Sequence, residues 1–239
     1  KCVNRAGLDV VDIILQPLAS SEAVLGQEER DLGVVMVDLG GGTTDLAIFL
    51  DGSIRHSAVL PIGGQNLTKD LAFVLHTSQT EAEKIKTQYG VARTELLTGH
   101  QIIEVPSVGD RPARTFSRRA IAEILEPRVE EMFELVRREI ARAGYEGILG
   151  AGVVITGGTS LLEGMPDAAE KVLNLPARRG LPSGVGGLRE TVSHPSHSTG
   201  VGLLLHARRH VGELETAGRR NGGPWAKMRG WTKWVSEVF

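Results

Sequence analysis

Apolar residues along the chain fall into short blocks whose period changes. Residues 10–15 (VVDIIL) and 34–39 (VVMVDL) are nearly unbroken apolar runs of strand length, as expected for strands buried on both faces. Residues 45–50 and 53–60 flank Asp51-Gly52, a dipeptide that favours a tight hairpin turn. Residues 101–105 and 153–156 read as two more strands. Between these blocks the spacing becomes helical. Residues 17–26 open on Pro17 and stop at Gly26, and residues 66–75 predict a second helix. Residues 78–90 have Ser78 as N-cap and Gly90 as C-terminal stop. Residues 117–143 predict the longest helix, with Ile121, Leu125, Val129, Met132, Val136 and Ile140 on one stripe and Pro127 as the place for a kink. Residues 166–173 and 198–210 complete the set. Strands interleaved with helices, plus one hairpin, predict an α/β fold.

Residues 212–223 (GELETAGRRNGG) break this pattern and read as a flexible linker. All three Trp of the chain follow within the last 15 residues. Trp225, Met228, Trp231, Trp234, Val235, Val238 and Phe239 project onto about half of a helical wheel, and Arg229 and Lys233 lie on or near the other face. Trp at an apolar–polar boundary with flanking cations is the pattern of a helix lying in a membrane interface. So short a helix binds reversibly, and self-assembly would supply the avidity.

Charge and composition narrow the function. With 27 basic and 29 acidic side chains the net charge is −2, which argues against a general nucleic-acid binder. One cysteine, Cys2, excludes an internal disulfide framework. No apolar run approaches the ~20 residues that span a bilayer. His194 and His197, in HPSH, lack the Cys or acidic companions of a metal site and read as loop residues. Glycine is the outlier: 30 of 239 residues is about 13%, against a usual ~7%.

Those glycines mark the candidate chemistry. Residues 38–45 (DLGGGTTD) lie between the two strands of a hairpin. Three glycines let backbone approach a ligand closely and turn successive N–H groups toward phosphate oxygens, and Thr43 and Thr44 add hydroxyls. Asp38, at a strand end, is placed to hold Mg²⁺ through water. Asp45 either joins that ligand set or only caps the loop. No Gly-Lys-Ser/Thr follows, so this is not a Walker A loop. A second loop, residues 155–164 (ITGGTSLLEG), again follows a strand, and Gly157 and Gly158 could let a base or ribose lie against backbone. Residues 198–207 (STGVGLLLHA) start a helix with Gly200 and Gly202 on a packing face.

In this order the three pieces resemble the nucleotide-binding fold of actin, heat-shock-70 chaperones and sugar kinases. Within that superfamily the chain resembles the FtsA family of bacterial cell-division proteins. The resemblance rests on PLASSEAVL, ERDLGVVMVDLGGGTTDLAIF, AEKIKTQYG, IEVPSVGDRPARTFSRRAIAEILEPRVEEMFELV, VVITGGTSLLEGM and the Trp-containing end. It implies an actin-like (ribonuclease H-like) nucleotide-binding fold, incomplete at the N-terminus, with a C-terminal amphipathic helix. The family's first phosphate motif is absent from the chain.

By position, residues 1–30 would end subdomain 1A, 31–63 and 117–192 would form 2A, and 64–116 would form 2B. Residues 193–211 would return to 1A, 212–223 would be the linker, and 224–239 the membrane-targeting helix. ATP and Mg²⁺ are the implied cofactors. Asp38 would be the Mg²⁺-water ligand, and Gly41, Gly42 and Thr43 would cradle the β- and γ-phosphates. Glu83 and Lys86 would reach the ribose and base, and Gly157, Gly158 and Thr159 would line the nucleoside. Gln16 sits where related ATPases orient the attacking water; an amide is no base, so a weak ATPase at most is expected. Of a cluster of four arginines, Arg111 and Arg114 fall in 2B and Arg118 and Arg119 just past its end; in this family 2B receives the C-terminal peptide of the tubulin-like protein FtsZ, and the charge suits an acidic peptide. Implied partners are FtsZ, further copies of the chain, inner-membrane lipids and later division proteins, at the cytoplasmic face of the inner membrane at the septum. A pilus-assembly or shape-determining actin homologue is the alternative, with a sugar kinase or chaperone ATPase behind it.

Overall fold

In a computed structural model, residues 1–220 are described, apart from Asp9, Val11, Asp110, Gly187 and Leu188. The chain forms two compact units, Lys1–Val24 with Leu181–Phe239, and Leu25–Gly180.

The first unit begins with α1 (Cys2–Arg5) and α2 (Gln16–Val24). Its remaining helices, α8 (Arg189–Val192) and α9 (Ser198–Arg220), come after the second unit in the chain. Helix α2 packs on α9 through small residues. A Cβ on Gly202 would lie 1.7 Å from the Ala19 carbonyl oxygen, whereas one on Gly200 would meet nothing within 4 Å. Only Gly202, not Gly200, is therefore on the packing face. Ser20 and Thr199 hydroxyls join the two helices at 2.9 Å.

Two further sequence expectations fail here. Residues 10–15 contain no strand among those described, and Ile13 is 86% exposed. An apolar run makes a ladder only beside a partner strand, and no described strand runs beside this one. Residues 212–220, expected as linker, continue α9. Glu213, Leu214, Glu215, Ala217 and the two Arg are good helix formers with no Pro among them, so propensity carries the helix on where periodicity fades. The proposed amphipathic segment, including Trp225, Met228, Trp231, Trp234, Val235, Val238 and Phe239, lies outside the described residues, as do 221–223 of the expected linker.

The second unit opens with α3 (Gln27–Leu32), β1 (Val34–Leu39), β2 (Thr44–Leu50) and β3 (Ser53–Leu60). Helices α4 (Gly64–Leu75) and α5 (Gln79–Tyr89) follow, then a small hairpin of β4 (Ile102–Val105) and β5 (Arg114–Ser117). Helix α6 (Arg118–Ala143), β6 (Gly152–Thr156), α7 (Met165–Leu173) and β7 (Ala177–Arg179) complete it. The main sheet has the order β3-β2-β1-β6-β7. The β3-β2-β1 part is antiparallel, and β6 and β7 run parallel to β1. Strand β1 is buried along its whole length, as its unbroken apolar run requires.

Asp51 and Gly52 both take positive φ (53° and 74°), the conformation of a two-residue hairpin turn. Ser117 caps α6 by accepting the Ala120 N–H, and Ser78 caps α5 by accepting the Glu81 N–H. Helix α6 runs unbroken through Pro127 and lays Ile121, Leu125, Val129, Met132, Phe133 and Val136 into the core, all fully buried. Each such side chain contributes about 1.5–3 kcal/mol relative to exposure. Gly90 ends α5 as expected, but for another reason than a left-handed cap. Its φ is −65°, and a Cβ there would lie 2.4 Å from the Lys86 carbonyl oxygen and 2.6 Å from Leu162 Cδ1.

Candidate functional site: a glycine cradle at the ends of β1 and β6

Adjacent strands β1 and β6 run parallel, so their C-terminal ends lie side by side, with Asp38 opposite Thr156. Each then enters a glycine loop. The first, residues 40–43, is closed by the Gly40 N–H donating to the Thr43 carbonyl at 2.9 Å. Gly41, Gly42 and Thr43 form its exposed tip. A Cβ on Gly42 would meet nothing within 4 Å, and Gly42 does not have positive φ. The fold itself therefore does not require glycine there, whereas a ligand seated against the tip would.

The second loop opens at Gly157, with φ 85° and no room for a side chain. Gly158 is exposed and Thr159 half-buried. The Thr159 hydroxyl donates to the Gly40 carbonyl at 2.9 Å, so the two loops are tied together.

Helix α4 supplies the third wall. The N–H groups of Gly64 and Gln65 donate to the carbonyls of Gly40 (3.0 Å) and Gly41 (2.7 Å). This docking needs Gly63 and Gly64. A Cβ on Gly63 would lie 2.7 Å from the Gly41 carbonyl oxygen, and one on Gly64 would lie 2.3 Å from Thr159 Oγ1. Sequence reasoning missed this pair, although Gly-Gly opening a helix directly after a strand was a visible signal.

Glu83 and Lys86, on α5, border the same wall. Lys86 is 9% exposed, and its Nζ donates to the Gly64 carbonyl (3.1 Å), Thr68 Oγ1 (2.9 Å) and Glu83 Oε2 (2.7 Å). The Thr68 hydroxyl also bonds Glu83. Burial alone would raise the Glu83 pKa, but the bonds from Lys86 and Thr68 outweigh it and hold the carboxyl below its usual range. Thr68 is a third residue that the sequence reading did not single out.

Asp38 and Asp45 are in direct cross-strand register on β1 and β2, and only 4% and 5% exposed. Thr43 Oγ1 donates to Asp45 Oδ2 at 3.1 Å, so Asp45 braces the glycine loop. Nearly buried carboxylates on register partners are hard oxygen donors of the type Mg²⁺ prefers, so this pair fits that ion. Among the described residues there is no larger His, Cys, Asp or Glu cluster able to hold a metal.

The remaining sequence candidates lie elsewhere. Gln16 is the exposed first residue of α2, in the other unit. Arg111 is exposed, and Arg114 starts β5 with its guanidinium 4.9 Å from the Phe116 ring centre. Arg118 and Arg119 are engaged by Glu163 and Glu123, so they are tied into ion pairs within the unit. Among the described residues no helix is long and apolar enough to cross a membrane.

Comparison with known proteins places this geometry in a family. The family model described as cell division protein FtsA matches residues 35–202. The chain is 52% identical over 206 residues to the cell division protein FtsA of Pseudomonas aeruginosa, covering 86% of this chain and 49% of that protein. It is 39% identical over 250 residues to FtsA of Escherichia coli K12, covering 100% of this chain and 59% of that protein. The chain thus spans about half the length of the curated relatives it matches. Among solved structures, MreB 5 of Spiroplasma citri bound to AMPPNP shares the fold at a TM-score of 0.73 and 19% identity, over 90% of this chain and 64% of that one. The PilM-PilN type IV pilus biogenesis complex matches at 0.64 and 20%, over 85% and 55%. The fold is actin-like, and the chain belongs to the cell division protein FtsA family.

Proposed function

We propose that the chain is the nucleotide-holding and membrane-tethering portion of an actin-like scaffold for the division ring. The family match spans residues 35–202, the stretch that contains every loop of the cradle, and this observation carries the reading. ATP is the ligand that suits the cradle. Gly41, Gly42 and Thr43 would take the β- and γ-phosphates, Gly157 and Gly158 the nucleoside, and Glu83 and Lys86 the ribose and base. Mg²⁺, bound to the phosphates, would lie toward Asp38 and neutralise charge there. Gln16 would orient water, and hydrolysis would be slow.

Nucleotide occupancy would set polymer formation. The tail, with Trp225, Trp231, Trp234 and Phe239 on its apolar face, would lay each copy on the inner face of the cytoplasmic membrane. Arg111 and Arg114 would receive the acidic C-terminal peptide of FtsZ, and the polymer would recruit later division proteins. The subdomain scheme 1A, 2A and 2B belongs to the same proposal.

Vesicle flotation with and without residues 224–239, on anionic liposomes, tests it. Flotation of the longer form alone supports the tether. Equal behaviour of both forms, or of a Trp231→Glu/Phe239→Glu variant, overturns it.

A further inference from the structure

Thr159 has a partner other than the nucleoside that the sequence suggested for it. Its Oγ1 donates to the Gly40 carbonyl at 2.9 Å, across 119 residues of chain. The same carbonyl accepts the Gly64 N–H at 3.0 Å. A threonine hydroxyl has one proton, so while this bond holds it donates to no ribose or base. The fit is close, because a Cβ on Gly64 would sit 2.3 Å from that hydroxyl oxygen. The Gly64 carbonyl accepts in turn from Lys86 Nζ at 3.1 Å, and Lys86 reaches Glu83 at 2.7 Å. One polar line thus joins the loop after β6, the loop after β1, the start of α4 and the middle of α5.

We propose that Thr159 is a positioning residue, a pin that sets the glycine loop at 40–43 against the glycine loop at 157–158. Phosphates held by the first and a nucleoside held by the second then fit one ligand at one spacing. The inference rests on the nucleotide reading above and deepens it. Its signature is specific. Loss of the pin is felt by the phosphates, through a shifted loop 40–43. Loss of a direct nucleoside contact would weaken every ligand carrying the base by the same factor.

Thr159→Val keeps the branched shape and deletes the donor, and Thr159→Ser restores the donor. Adenosine, ADP and ATP, with Mg²⁺ for the nucleotides, are titrated into each variant of the chain. Val is expected to weaken ATP about five- to tenfold, the effect of one hydrogen bond, to leave adenosine within about twofold, and to be rescued by Ser. Equal loss for all three ligands overturns the pin.

A ligand-free measurement stands beside this one. Hydrogen exchange at the Gly64 amide, which shares the Gly40 acceptor, should quicken about fivefold or more in Val and not in Ser. Unchanged exchange in Val overturns the pin even where no ligand binds. Where Val does not fold, Thr159→Ala carries both tests. A wild-type chain that binds none of the three ligands, with the exchange effect present, overturns the nucleotide reading alone.

Discussion

A methyl group on Gly157 would lie 2.4 Å from Asp38 Oδ1 and 2.5 Å from the Leu39 carbonyl oxygen. The glycine that opens one loop is thus in contact with the buried carboxylate that precedes the other. Close approach and a φ of 85° both demand glycine at this position.

Gly157 and Gly42 should therefore respond differently to the same change. Gly157→Ala is expected to cost about 2–3 kcal/mol and lower the unfolding temperature, because both the backbone and the neighbours resist a methyl. Gly42→Ala should leave the unfolding transition unchanged, since nothing lies within 4 Å of the new atom. It should weaken ATP at least tenfold if phosphate oxygens rest against the tip. Calorimetry paired with an ATP titration separates the two effects, and full ATP affinity in Gly42→Ala would remove the phosphate assignment.

Gly202 and Gly200 make a similar pair on α9. Alanine favours a helix over glycine by up to about 1 kcal/mol, so propensity alone predicts that both substitutions stabilise. Gly202→Ala should instead destabilise by about 3 kcal/mol, because its methyl would lie 1.7 Å from the Ala19 carbonyl oxygen. Gly200→Ala should be neutral or stabilising by about 0.5 kcal/mol, being in the first turn. The unfolding temperature should fall in Gly202→Ala and hold or rise in Gly200→Ala.

Arg128 ties α6 to α4 by two bonds to Asp70, Nε to Oδ2 at 2.6 Å and Nη2 to Oδ1 at 3.1 Å. Both side chains are 29% exposed, so solvent screening keeps the pair modest despite its forked geometry. A double-mutant cycle with Arg128→Ala and Asp70→Ala should return a coupling of about 1 kcal/mol, falling in high salt. A coupling near zero would assign α4–α6 packing to the apolar core alone.

Glu139 should shape acid stability. Hydrogen bonds from Arg142 and, against the opposing effect of burial, from His56 lower its carboxyl from 4.5 to about 2. A carboxylate depressed in the folded state contributes stability that is present above its unfolded pKa. That contribution is lost as pH falls through the folded value. The stability of the chain should therefore drop between about pH 4.5 and pH 2, and Glu139→Gln should flatten that part of the profile. Denaturant unfolding across this window checks the sign; a Glu139→Gln profile as steep as wild type would assign acid unfolding to other carboxylates.

How much of the molecule the sequence determined depended on whether the deciding neighbours were near in the chain. The hairpin turn at Asp51-Gly52, the Ser78 and Ser117 caps, the β1 run and the α6 stripe all follow from local propensity and periodicity. The stretch DLGGGTTD announced a tight backbone loop between two strands, because its glycines are contiguous and flanked by apolar runs.

Tertiary structure decided the rest. The run at 10–15 has strand composition but no partner strand among the described residues, so composition did not suffice. Strand β7 is three residues, two of them Arg, and forms because β6 lies beside it and Glu29 takes the Arg178 charge. Gly200 and Gly202 are alike in sequence, yet only the approach of Ala19 separates their roles. Thr68 and Thr159 carry no local signal of the task they share with Gly63 and Gly64. Their hydrogen bonds close across chain separations that no short-range pattern encodes, and only packing α4 against two strand ends makes them one site.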